Sequence, residues 1–84
     1  MSIITALENF MVNKSDYYMV ENNKNSIRYI KKWRELEEVS FKELFNGECL
    51  EVTVPIGDVQ YYCRFRLNEI DEDRITSFLE NKLH

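Results

Sequence analysis

Histidine is almost missing from this chain, and its single copy, His84, is the last residue. Without an internal imidazole there is no Ser-His or Cys-His couple to activate a nucleophile, and no histidine-based metal site. Cysteine is confined to Cys49 and Cys63, neither in a CxxC pair nor beside a histidine, so zinc is not expected. Glycine occurs twice and proline once, which leaves little material for linkers. No internal repeat or low-complexity segment is present, and no apolar run approaches the length that spans a bilayer. The first residues lack a basic region, an apolar stretch and a small-residue cleavage site in succession, so a cytoplasmic protein is expected. Carboxylates are plentiful, but a general acid needs burial or a like-charged neighbour inside a pocket. The cluster Glu69, Asp71, Glu72 and Asp73 lacks the turn glycine and ligand spacing of a cation loop, and helix capping accounts for most of it. The expectation is a non-enzymatic protein with no cofactor and no metal.

What is present fits one small globular domain over residues 1–84. The apolar and charged fractions are 44% and 31%, inside the globular range. A chain of this length buries roughly 60–65% of its unfolded surface. Its net charge of −4 keeps it soluble and mildly disfavours non-specific contact with nucleic acid.

The strongest local signal is Leu50–Leu67, two alternating runs around Gly57-Asp58, a dipeptide suited to a two-residue hairpin loop. With the turn centred there, Ile56 faces Val59, Val54 faces Tyr61, Val52 faces Cys63 and Leu50 faces Phe65. These share one face, because side chains alternate along a strand. Glu51 opposite Arg64 and Thr53 opposite Tyr62 make the other. Cys49 and Cys63 then point apart, which disfavours a disulfide.

Ahead of this hairpin, Ser2 can cap a helix to about Asn13, with Ile3, Ile4, Leu7, Phe10 and Met11 on one side. Tyr17–Glu21 is β-favouring, residues 22–25 suit a hairpin loop, and Ser26 to about Trp33 reads as the return strand. That assignment competes with a helix, since Ile27, Ile30, Trp33 and Leu36 recur every three residues. Ser40 and Glu43 form a capping box, Val39 and Leu44 a hydrophobic staple, and Gly47 a C-terminal cap, which together predict a short helix over Phe41–Asn46. Asp71 caps a last helix, with Ile70 and Ile75 as a second staple. The element order is thus α-β-β-α-β-β-α. The expected fold class is α+β, an antiparallel sheet of about four strands with helices packed on one face.

Two surfaces stand out. If Ser26–Arg34 is a strand, Arg28, Lys32 and Arg34 share a face, and the outer face of the central hairpin carries Tyr62, Arg64 and Arg66. In this register Arg66 faces only Cys49 and has no acidic partner. Tyrosine and arginine on an open sheet suit hot spots for a protein partner, and also the stacking and phosphate contacts of a single-strand binder. The second surface is the acidic edge around Glu35, Glu37 and Glu38; its plain explanation is a solvated strand and helix start. The expected function is a small binding protein acting on a protein partner as inhibitor, adaptor or regulator, by occlusion. Single-stranded nucleic-acid binding through the basic and aromatic face is the alternative, no membrane is involved, and a homodimer stays open. In size and class the chain sits with phage- or plasmid-encoded inhibitors, anti-defence proteins and immunity proteins, an analogy with no motif behind it. If phage-encoded, it would act in the cytoplasm of the host cell.

Overall fold

Consecutive strands of this chain are neighbours in the sheet, so the order of strands in space is their order in sequence. In the computed structural model, which describes residues 3–56, 59–69 and 71–83 but not the side chains of 35 and 36, the elements are α1 (Ile3–Met11), β1 (Tyr17–Asn22), β2 (Ser26–Lys31), β3 (Arg34–Leu44), β4 (Cys49–Ile56), β5 (Val59–Arg66) and α2 (Glu72–Lys82). The strands form one antiparallel meander, β1-β2-β3-β4-β5.

Alternation decides which side is core. Ile27 and Tyr29 of β2, Val39 and Phe41 of β3, and Leu50, Val52 and Val54 of β4 are buried on one face. Ile4, Leu7 and Met11 of α1 join the same cluster, with Ile75 and Leu79 of α2 and Leu83 just beyond it. Both helices therefore pack on one side of the sheet. The Asp71 carboxylate accepts the Arg74 N–H at 3.0 Å, capping α2, and Glu72, Asp73 and Lys82 complement its dipole. The Ser2 cap, the Gly57-Asp58 turn residues, the Ile70 staple and His84 lie outside the described residues.

The order is α-β5-α, not α-β-β-α-β-β-α. The helix expected over Phe41–Asn46 is the end of β3, a strand of eleven residues. Phe41 sits between Ile27 and Val52, and Ser40 between Arg28 and Thr53. A capping box contributes about 1 kcal/mol. Membership of a central strand brings two backbone ladders and burial of Phe41. The non-local term wins. The chain then reverses at Phe45, Asn46 and Gly47, whose φ angles are 55°, 57° and 88°. The Gly47 N–H donates to Leu44 O at 3.2 Å and the Glu48 N–H to Phe45 O at 3.2 Å. This left-handed reversal is the kind that Asn-Gly favours in hairpins, so Gly47 serves a hairpin and caps no helix.

The strand expected to reach Trp33 stops at Lys31. Lys32 and Trp33 form the turn, with the Lys32 N–H donated to Asp16 O at 2.7 Å. Ile30 pairs with Glu38 but Lys31 pairs with Arg34, so the register skips residues 35–37. That slip explains why the three-residue recurrence through Ile30, Trp33 and Leu36 fits neither a strand nor a helix.

Candidate functional site

The sheet face opposite the helices is built in rows, because antiparallel partners share a side. One row is Glu21, Arg28, Ser40, Thr53 and Tyr62; the next is Ser26, Lys42, Glu51 and Arg64; Cys49 and Arg66 lie beyond. The structure thus brings Arg28, Tyr62, Arg64 and Arg66 onto one open face. Tyr62 is 66% exposed there.

Each arginine already holds a carboxylate. Arg28 lies 3.2 Å from Glu38, Arg64 3.1 Å from Glu51, and Arg66 3.6 Å from Glu69. Arg66, expected to lack a partner, finds Glu69 three residues on, because the turn after β5 folds back; facing Cys49 across the ladder is correct as expected. Glu37 is shared between Lys31 at 3.4 Å and Arg34 at 3.3 Å. Arg28 and Lys31 of β2 and Arg34 at the start of β3 thus meet the carboxylates of Glu37 and Glu38 in β3. Glu37 and Glu38 each lie against a basic side chain, and the side chain of Glu35 falls outside those described.

Lys32 does not join Arg28. Placed in the β2–β3 turn, it borders a groove of about 490 Å³ beside α1, lined also by Lys14, Tyr17, Met19 and Tyr29. Burial raises the Tyr17 hydroxyl above the usual 10.0, assisted by Glu37 and Asp16. Burial likewise raises Tyr29, assisted by Glu8. A raised acid pKa means that folding favours the protonated phenol. Its stabilisation is full below the unfolded value, about pH 10, and is lost as pH rises through the folded one. Denaturant midpoints are thus expected to fall between about pH 9 and about pH 11, and to fall less in the Tyr17→Phe, Tyr29→Phe double variant. Equal losses in both proteins would show that these phenols are not the groups responsible.

Other exposed groups were not singled out by sequence. Trp33 is 93% exposed with φ 66°, an unfavourable conformation for a bulky residue with no packing to offset it. It sits in the two-residue turn after β2, where neither glycine nor asparagine marks a turn in the sequence. At the end of the β4–β5 hairpin, Ile56, Val59 and Tyr61 are 42%, 68% and 45% exposed. The alternation of the hairpin puts these on the core face, and they do point to that side. Among the described residues, however, the β3–β4 ladder ends at Ser40 and Thr53, and β4 continues with β5 alone. Pro55, lacking an N–H, suits that unpaired stretch.

Cys49 and Cys63 are free thiols. Among the described residues no group of three or more His, Cys, Asp or Glu is placed to hold a metal ion, and no helix is long and apolar enough to cross a membrane. Compared with known proteins, the chain matches no family model, no curated protein and no solved structure.

Proposed function

We propose that this chain is a small non-enzymatic binding protein that acts stoichiometrically on a protein partner, as inhibitor, adaptor or regulator, through the open outer face of its sheet. The observation behind this reading is the charge arrangement around Tyr62. Arg28, Arg64 and Arg66 are each matched by a carboxylate, so a polyanion would have to displace three acidic side chains to reach them. A protein surface of mixed charge can interleave with the same pairs, and tyrosine and arginine supply the anchors typical of such contacts. The setting is the cytoplasm, where both thiols stay reduced. An anti-defence or immunity protein of phage or plasmid origin is consistent with this size and chemistry.

The test compares the chain with the Tyr62→Ala, Arg66→Glu double variant as baits in extract of the source organism. Both side chains are exposed, and surface ion pairs contribute about 0–1 kcal/mol, so the variant is expected to fold with a nearly unchanged midpoint. It should lose the captured protein, because truncating an aromatic anchor and reversing a charge at an interface centre weaken binding together. Capture at unchanged affinity would place the working surface elsewhere. Tight binding of a short single-stranded oligonucleotide, weakening steeply with salt, would favour the nucleic-acid alternative.

A further inference from the structure

The sheet has two edges, and only one of them is interrupted by a bulge; the other carries Arg64 and Arg66 as its charges. On β1 the pairing with β2 is interrupted between Met19 and Glu21, and such bulges are a usual protection against edge-to-edge association. The other edge, β5, pairs with β4 through all eight residues without a break and contains no proline, lysine or acid.

The backbone groups facing that edge follow from one hydrogen bond. The Leu67 N–H donates to Glu48 O at 3.0 Å, just beyond the ladder. Hydrogen-bonded pairs alternate along an antiparallel ladder, so Phe65, Cys63, Tyr61 and Val59 direct their N–H and C=O toward β4. Tyr62 and Arg64 direct theirs outward, where no sixth strand lies among the described residues.

We propose that the occupant of this edge is a second copy of the chain, its β5 antiparallel to the first and centred on Cys63. In a two-fold antiparallel pair, opposed residues share a face, so the axis falls on one residue position. Centring on Cys63 uses the strand through Arg66 and opposes Tyr62 to Arg64, each supplying outward N–H and C=O groups. On the inner face it sets Tyr61 against the second copy's Phe65 and Val59 against its Leu67, covering apolar groups now 45% and 68% exposed. No arginine meets an arginine. Moving the centre to Arg64 would oppose two like charges, and moving it to Tyr62 leaves Arg66 beyond the paired residues. The result is a ten-stranded sheet with Tyr62 and Arg64 of both copies at the centre of its open face. This inference does not rest on the protein-partner reading, and either can fail alone.

Sedimentation over a concentration series is expected to show twice the 10.2 kDa chain mass. Facing residues of a non-hydrogen-bonded pair have Cα atoms about 4.5 Å apart, within disulfide reach. Diamide should therefore oxidise two Cys63 thiols to one intermolecular disulfide, taking up the two electrons and two protons released. The cross-linked dimer should form in the chain and in Cys49→Ser but not in Cys63→Ser. Tyr62→Pro removes an outward N–H, and the phenol with it, while leaving the donors that face β4 in place, and Tyr61→Lys changes only a half-exposed side chain. Each should weaken self-association by about tenfold or more. A monomer at every concentration, a cross-link that persists in Cys63→Ser, or undiminished association in both edge variants would overturn the proposal.

Discussion

Phe41→Ala is expected to cost about 3–5 kcal/mol and to leave little folded protein near 37 °C. Among the described residues Phe41 is the largest fully buried side chain, and it stands on the inner face of the middle strand, with Ile27 on one side and Val52 on the other. Truncation removes apolar contact with both neighbouring strands and opens a cavity under the helices. A sheet tied together by two ladders cannot collapse far to fill it, which places the cost toward the upper part of the range. Denaturant unfolding measures the difference. A loss below about 1 kcal/mol would mean that Phe41 is not enclosed by the sheet and helices together.

Lys42→Pro should be nearly as damaging, for a reason that involves no side-chain burial. Lys42 is exposed and pairs with Ser26 on one side and Glu51 on the other. The Glu43 N–H donates to Asn25 O at 2.8 Å, toward β2, so by alternation the Lys42 N–H points to β4. Proline deletes that donor and crowds the ladder in the centre of the sheet, at a cost of about 3 kcal/mol or more. In the first turn of a helix, the same substitution would be well tolerated. A melting temperature unchanged by Lys42→Pro would therefore favour the short helix that the capping box suggests.

The comparison of these two residues shows how far local pattern reaches. The register of the β4–β5 hairpin was legible. Ile56–Val59, Val54–Tyr61, Val52–Cys63 and Leu50–Phe65 pair as expected, because period-two alternation and a two-residue loop specify a register between them. The Asp71 cap was legible for the same reason: it depends on residues three apart. Ser40 to Gly47 misled because two local signals conflict there. The Ser40 and Glu43 spacing suggests a helix, whereas Asn46-Gly47 between apolar strands is also a strong hairpin signal. The outcome is settled by Val52 and Ile27, which are distant in sequence. The candidate face behaves alike. Alternation placed Tyr62, Arg64 and Arg66 together. That Arg28 would meet Glu38 depended on where β2 turns into β3, and the left-handed Trp33 that makes the turn carries no glycine or asparagine to announce it.

The most direct measurement of the working surface is an amide and side-chain NMR shift map of the chain titrated with its captured partner. The expected result is a set of perturbations on Arg28, Lys42, Glu51, Tyr62 and Arg64, crossing β2 to β5 on the open face, with the solvent sides of α1 and α2 unchanged. Perturbations confined to exposed helix positions such as Asn9 or Glu80, with Tyr62 and Arg64 unmoved, would contradict it.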